Sequence, residues 1–354
     1  MRLGFLALSD CAPLLVAEAL GFFEEQGVAV TLHREAGWAT IREKILYRQL
    51  DGAHAVVGMG LSLRLGLHGL SCRAIAPFVL NLHGNAITLS LDLWRRGVRD
   101  AASLAKLVHS SRQRPLTLGV VARSSSHHFF LRQWLTAAGI DPDRDVRLVI
   151  LPPPQMPRTL AAGLIDGFCA GEPWNSQVVA HGTGWCVALS AEFMPGHPDK
   201  ILLTTEEFAE ESGAALAGVV RALDQACAYC AAPENRERVV GILHGSGHFR
   251  VDRAVLAKAL VGPFEDGVGG RREVKSFCVF HGQGVNEPSR EKAEWTAAKF
   301  HLHGLCPALP EARLREEALA CFRPDLFRAA LQPPRARGER AVRSTTKARA
   351  QAAV

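Results

Sequence analysis

Short apolar runs alternate with amphipathic segments over the first 190 residues of the chain. The run Leu3–Leu8 predicts a strand, and the apolar spacing after the turn at Ser9 and Asp10 predicts a helix that ends at Gly21. Further strands are predicted at 28–33, 53–57, 73–82, 86–90, 116–121, 147–151, 167–170 and 185–189, and further helices at 38–50, 101–109, 127–138, 156–162 and 176–181. This rhythm predicts an α/β fold with a parallel sheet and helices on its faces.

The pattern becomes mainly helical after residue 189, with helices predicted at 205–212, 214–232 and 236–243. Two α/β halves that are joined by strands predict two lobes with a cleft between them. Such a cleft is a favoured place for a small ligand.

Composition and charge exclude several classes of protein. With 48% hydrophobic and 21% charged residues in 354, the chain is too apolar to be disordered over most of its length. Its longest apolar stretches are far too short for a membrane span. Much of the net charge of +6 falls in residues 332–354, where six basic residues stand against Glu339. We expect this stretch to be a disordered, solubilising tail and expect no direct nucleic-acid binding, although a tail of this kind can also touch RNA, a membrane or an acidic partner.

The cysteines and the start of the chain predict a location. Nine cysteines are scattered without a framework spacing, which favours a reducing compartment. The first residues lack the apolar core and the cleavage site of a secretory signal. We therefore expect a cytoplasmic protein, unless the true start lies upstream.

The common motifs of enzymes are missing from the sequence. It contains no phosphate-binding loop, no nucleophile elbow and no zinc helix. Cys227 and Cys230 have a redox-like spacing, but they lie inside a predicted helix and are interpreted as two buried thiols. We expect no catalytic residues, no metal and no cofactor.

Polar and aromatic residues at helix starts are the more informative signal. Trp38 and His127 open helices, whose free N–H groups and positive dipole end suit a small anion, and Lys200 adds a fixed charge. Each also has a simpler interpretation, as a core tryptophan, a helix-capping histidine and a solvated lysine.

Several ordered segments together resemble a known family. They are 9–13 (SDCAP), 35–40 (EAGWAT), 50–54 (LDGAH), 80–88 (LNLHGNAIT), 152–156 (PPPQM), 171–175 (GEPWN) and 197–200 (HPDK). Over roughly residues 1–210 the chain resembles the nitrate- and bicarbonate-binding (NrtA/CmpA-like) branch of the type II periplasmic-binding-protein fold.

The resemblance implies a Venus-flytrap protein with its ligand between two lobes. The first lobe would comprise residues 1–87 and 204–331, and the second lobe residues 88–203. The ligand residues of the nitrate binders fall on Trp38, Asn85, His127, Gly171 and Lys200. Asn85 departs from the pattern, since the transport protein has glutamine there; the shorter amide is still expected to donate a hydrogen bond.

The resemblance also implies a function. A charged lysine with directional donors and no evident acceptor favours nitrate or nitrite over bicarbonate. Cytoplasmic members of the family resemble NasS, a nitrate/nitrite sensor that holds the RNA-binding antiterminator NasT and releases it when the anion binds. Two other hypotheses are a receptor of an ABC transporter for nitrate or a related anion, and an enzyme such as a pyrimidine-precursor synthase of the same fold.

Overall fold

The structure is a computed structural model that describes residues 1–67, 69–110, 114–272 and 277–332. The predicted basic tail lies outside the described residues from position 333 onward. The strands are β1 (Arg2–Phe5), β2 (Thr31–Arg34), β3 (Gly52–Val56), β4 (Ala74–His83), β5 (Asn85–Ser90), β6 (Leu116–Val120), β7 (Val146–Ile150), β8 (Gly167–Gly171), β9 (Gly184–Leu189), β10 (Pro198–Thr205), β11 (Phe264–Glu265), β12 (Arg271–Arg272) and β13 (Cys278–Val279).

The helices surround these strands and continue after them. They are α1 (Ala12–Ala19), α2 (Phe22–Glu25), α3 (Trp38–Leu46), α4 (Met59–Arg64), α5 (Leu91–Arg95), α6 (Ala101–Ser110), α7 (Ser126–Ala137), α8 (Met156–Ala161), α9 (Trp174–Ala180), α10 (Ser190–Phe193), α11 (Glu206–Ala231), α12 (Arg236–Gly245), α13 (Arg253–Leu260), α14 (Arg290–Leu302), α15 (Glu311–Cys321) and α16 (Pro324–Leu331). Within the described ranges, no helix combines the length and the apolarity needed to cross a membrane.

Two mixed sheets carry the two lobes. The first has the order β13-β4-β10-β3-β1-β2, and the second has the order β7-β6-β8-β5-β9. The predicted parallel pairing is found among β1, β2 and β3 and among β6, β7 and β8. The strands next to the crossovers are different: β10 runs antiparallel to β3 and β4, and β5 runs antiparallel to β8 and β9.

The chain crosses between the sheets twice. It leaves the first sheet between His83 and Asn85, where Gly84 has a φ of 98° that favours glycine, and it returns between Leu189 and Pro198. The backbone N–H of Gly196 donates to His83 Nε2 at 2.6 Å and so ties the two crossover segments together. The crossovers therefore lie before the lobe boundaries that the family resemblance implies, at 87/88 and 203/204.

The sequence pattern did not predict β10, although this strand lies in the middle of the first sheet. Its first residues, Pro198, Asp199 and Lys200, look like a polar loop, yet all three are buried. The two helices predicted at 205–212 and 214–232 are found as one helix, α11, that is interrupted at Ser212 by a non-helical φ of −138°.

The first sheet is covered on both faces. Side chains of β10 alternate between them: Leu202 packs with Phe5 and Phe78 in one apolar core, whereas Ile201 and Leu203 belong to the other. The second sheet has its own core around Phe130. These rigid cores place the ends of β5, β8 and β10 at the junction of the lobes.

Candidate functional site

The five residues predicted to bind a ligand lie close together at the junction of the two lobes. Trp38 begins α3, Asn85 begins β5, His127 is the second residue of α7, Gly171 ends β8 and Lys200 lies in β10. Asn85 and Gly171 are direct partners across the β5–β8 ladder. The Lys200 ammonium lies 5.9 Å from the centre of the Trp38 ring.

Lys200 is fully buried and held by two carboxylates. Its Nζ lies 2.8 Å from Asp10 Oδ2 and also donates to Asp199 Oδ2. Burial alone would lower the pKa of Lys200, but the charges of Asp10 and Asp199 outweigh it and raise that pKa. Lys200 therefore stays charged, but its charge is already neutralised by protein groups.

Both aspartates are ionised and supplied with hydrogen bonds. Burial would raise the pKa of each carboxyl, but the Lys200 charge, acting with nearby histidines, lowers it below its usual range. His54 Nε2 donates to Asp10 Oδ1 at 2.8 Å, and Ser126 Oγ donates to Asp199 Oδ1. The two carboxylates thus form the centre of a buried polar network.

The side-chain amide of Asn85 differs from its expected role. Its Nδ2 donates to Asp199 Oδ1 at 3.0 Å and to Ser126 Oγ at 3.2 Å, so both amide hydrogens are used within the protein. Asp199 fixes this orientation, because an ionised carboxylate accepts only. The atom of the Asn85 side chain that has no hydrogen-bond partner in the described structure is the acceptor Oδ1.

His127 is buried, and neither of its ring nitrogens has a hydrogen-bond partner among the described residues. Ser125 caps α7 by accepting from the His128 N–H at 3.2 Å, which fixes the first turn that carries His127. Burial and the Lys200 charge lower the pKa of His127 to about 3, against the opposite effect of Asp199 and Asp10. His127 is therefore neutral near pH 7 in the protein by itself.

Trp38 borders both the buried network and the cleft. Its indole Nε1 is buried and has no partner in the described part of the chain, while its ring lies 5.5 Å from the ring of His54. A cavity of about 150 Å³ opens beside Trp38 between the lobes, with Arg42 and Arg123 in its wall. On the same measure of volume, a cavity needs only about 10–15 Å³ to hold one water molecule.

Gly171 keeps the backbone of β8 close to the network. A Cβ atom at this position would lie 3.2 Å from Asp10 Oδ2 and 3.6 Å from Asn85 Oδ1. The following residue joins the lobes, since the Ser9 N–H donates to the carbonyl of Glu172 at 2.7 Å. Any side chain at Gly171 would therefore crowd the centre of the site.

Sequence reasoning assigned no role to Asp10, His54, Ser126 and Asp199. Each lies within or beside a segment that it singled out, and Asp199 precedes Lys200 directly. A carboxylate beside a lysine was a usable signal for an internal ion pair. The pairing of Asp10 with Lys200 could not be predicted from the sequence, because 190 positions separate the two residues.

The free atoms decide the chemistry of the site. The buried atoms of the five predicted residues that have no hydrogen-bond partner in the described structure are Trp38 Nε1, both ring nitrogens of His127 and Asn85 Oδ1. The indole N–H and one N–H of neutral His127 are donors, while Asn85 Oδ1 is an acceptor that the sequence did not indicate. The formal charge of Asp10, Asp199 and Lys200 together is −1. No group of three or more His, Cys, Asp or Glu side chains suited to a metal is found in the described residues.

The comparisons agree with this architecture. A model of the NMT1-like family matches residues 1–244. The nitrate import ATP-binding protein NrtC of Synechocystis is 37% identical over 298 residues, which cover 83% of this chain and 44% of that protein. The bicarbonate transport ATP-binding protein CmpC of the same organism is 39% identical over 309 residues, 87% of this chain and 46% of that protein.

The chain thus spans about half the length of these curated relatives. A similar solved structure is that of the periplasmic nitrate-binding protein NrtA from Synechocystis, with a TM-score of 0.87 and 24% identity over 93% of this chain and 87% of that one. This likeness shows the two-lobed periplasmic-binding-protein fold. The family model covers more than half of the sequence, and the chain belongs to the NMT1-like family.

Proposed function

We propose that this protein binds a small oxyanion, nitrate or nitrite, between its lobes and that it acts as a sensor. The observation that carries the binding proposal is the set of buried polar atoms without partners around Lys200, above all both ring nitrogens of His127 and the indole N–H of Trp38. Unpaired buried polar groups are costly, and a bound ligand with oxygen atoms would satisfy them.

Three side chains would contact the anion in this proposal. Lys200, whose charge is already balanced by Asp10 and Asp199, would offer its third N–H. His127 would offer a directional N–H, and Trp38 both an N–H and an apolar wall that excludes water. Interactions of this kind are stronger in a buried site than in water. Gly171 adds no side chain to the centre of the site, where a Cβ would already lie 3.2 Å from Asp10 Oδ2.

Binding without catalysis is the role that we propose for this site. Burial and the Asp10 and Asp199 charges raise the pKa of the Cys278 thiol, which disfavours the nucleophilic thiolate. The family resemblance to solute-binding proteins supports the same interpretation.

The sensor proposal rests on the resemblance to NasS and on the cysteine content. In the cytoplasm, the protein would hold a NasT-like antiterminator while its lobes are open and release it when the anion closes them. An anion can shift this equilibrium only through its different affinities for the two states. The His83–Gly196 hydrogen bond lies on the crossover segments through which the lobes would move.

A second function is favoured by the relatives. NrtC and CmpC are transport ATP-binding proteins, and this chain matches about half of each. The alternative is therefore an anion-binding receptor or receptor-like part of an ABC import system.

Calorimetric titration with nitrate, nitrite, bicarbonate and sulfate tests the binding proposal. Trp38→Phe keeps the apolar wall and removes one donor, so nitrate or nitrite should bind the wild type and bind this variant several-fold more weakly. Saturation by none of the four anions would refute the proposal. Anion-dependent release of a NasT-like protein in a pull-down supports the sensor; a complex that is equally stable with and without the anion contradicts it.

A further inference from the structure

The charge of the candidate site is unusual for an anion binder. Asp10 and Asp199 face a single lysine, and they are ion-paired to it inside the protein. An added monovalent anion would bring the formal charge of this group from −1 to −2. In a buried site such an accumulation of like charge is strongly unfavourable.

His127 is placed to correct this charge, whereas the other imidazole of the network, His54, already donates to Asp10. His127 is buried with both ring nitrogens free of partners in the described structure, and an imidazolium donates from both nitrogens. The charged and titratable groups that act on it are Lys200 and Asp199 of β10, Asp10 of the Ser9–Cys11 turn and His197 of the second crossover segment. An anion beside the ring would add an opposite charge, which favours the protonated form.

We propose that each anion bound in this site is accompanied by one proton, which is taken from solvent and held by His127. The inference rests on the proposed function and adds that the ligand enters as an ion together with H⁺. The histidine then acts as a second donor that exists only in the bound state. Without the anion, the same imidazole is kept neutral by its burial and by Lys200.

Asp199 creates the need for this proton. Asp199 accepts from the Asn85 amide and from Ser126 Oγ, which accepts the other amide hydrogen of Asn85, so neither amide hydrogen is left for a ligand. Asp199 also adds the second negative charge. Asp199→Asn removes that charge and keeps the size of the side chain. In this variant the site is neutral before the anion arrives, so that neutral His127 suffices.

The experiment is calorimetry of nitrate and nitrite binding between pH 5.5 and 8, with each pH measured in two buffers of different ionisation enthalpy, such as PIPES and imidazole. If one proton is taken up with the anion, the affinity should fall about tenfold for each unit by which the pH rises, and the observed enthalpy should depend on the buffer. Asp199→Asn should bind more tightly at pH 8 and lose most of this pH dependence. The matched control is Asp166→Asn, which removes a carboxylate that pairs with Arg114 away from the site, and it should retain the tenfold slope.

His127→Gln tests whether His127 is the group that takes up the proton. This variant should bind the anion more weakly at pH 5.5 and with nearly the same affinity at every pH. A tenfold slope that persists in His127→Gln would overturn the assignment of the proton to this residue. Wild-type binding that is equal at all pH values and in both buffers would overturn the inference but leave anion binding intact, whereas no binding at any pH would overturn both.

Discussion

The side chains of Asp199 and Lys200 meet inside the protein although the two residues are consecutive on β10. In a regular strand, successive side chains point to opposite faces. Here the pairing between β10 and β4 shifts register on both sides of Lys200, which is the signature of a bulge. The bulge lets one strand supply both a cation and its counter-ion to the same pocket.

This ion pair should make Lys200 essential for folding stability as well as for binding. Lys200→Met leaves Asp10 and Asp199 as buried carboxylates without their cation, and breaking a buried pair in this way costs about 3–5 kcal/mol. Urea unfolding measures the change. Adding Asp199→Asn to Lys200→Met should recover part of the loss, since it removes one uncompensated charge.

A surface ion pair serves as the control for Lys200. Lys258 pairs with Glu265 at 2.9 Å, and the two side chains are 39% and 36% exposed. Lys258→Met should change the unfolding free energy by less than about 1 kcal/mol. Equal losses of unfolding free energy in the two lysine variants would show that the buried ion pair contributes no more to stability than an exposed one.

Gly171→Ala tests how closely the site is packed. The new methyl group would lie 3.2 Å from Asp10 Oδ2, a carboxylate that is held by Lys200 and His54 and cannot easily move. We expect nitrate affinity to fall by about tenfold or more and stability to fall by about 1–3 kcal/mol, as in other overpacked positions. Titration and urea unfolding report the two effects separately.

Gly241→Ala is the matched glycine control. Gly241 lies in α12, and a Cβ there meets nothing within 4 Å. The substitution should stabilise the protein by up to about 1 kcal/mol, because alanine favours the helix, and it should leave anion affinity unchanged. A similar loss of affinity in both variants would exclude a local effect at Gly171.

Buried histidines predict that stability falls in acid. Burial lowers the pKa of His127 and His128 to about 3 and that of His197 to about 4, whereas unfolded histidine titrates near 6.5. Below pH 6.5 these histidines therefore bind protons in the unfolded state but stay neutral in the native state. Stability is fully present above pH 6.5 and should fall by at least about 1 kcal/mol per pH unit between pH 6 and 4.5 in urea unfolding. A flat profile there would contradict the burial of these rings.

Glu172 should have the opposite effect. Burial raises the pKa of its carboxyl to about 7 from an ordinary value of 4.5. Between pH 4.5 and 7 the carboxyl is therefore protonated in the native state and ionised in the unfolded state. Its contribution to stability is present at low pH and is lost as the pH rises to 7. Glu172→Gln should therefore gain stability relative to the wild type above pH 7 and gain little at pH 4.5. A constant difference across this range would refute the shift.

The sequence predicted much of the fold, because local patterns are enough for most elements of the first 189 residues. It missed β10, since Asp199 and Lys200 begin that strand and charged residues are normally exposed. Their burial depends on Asp10, which lies far away in the chain. The family resemblance located Trp38, Asn85, His127, Gly171 and Lys200 together, but no pattern indicates that Asp199 occupies the donors of Asn85.

A crystal structure of the chain grown with nitrate would show directly whether the cluster around Lys200 holds a small oxyanion. We expect a planar anion between the lobes, with oxygen atoms about 2.7–3.2 Å from Trp38 Nε1, a ring nitrogen of His127 and Lys200 Nζ. Nitrate bound elsewhere, or no nitrate at this cluster in crystals of the closed protein, would contradict it.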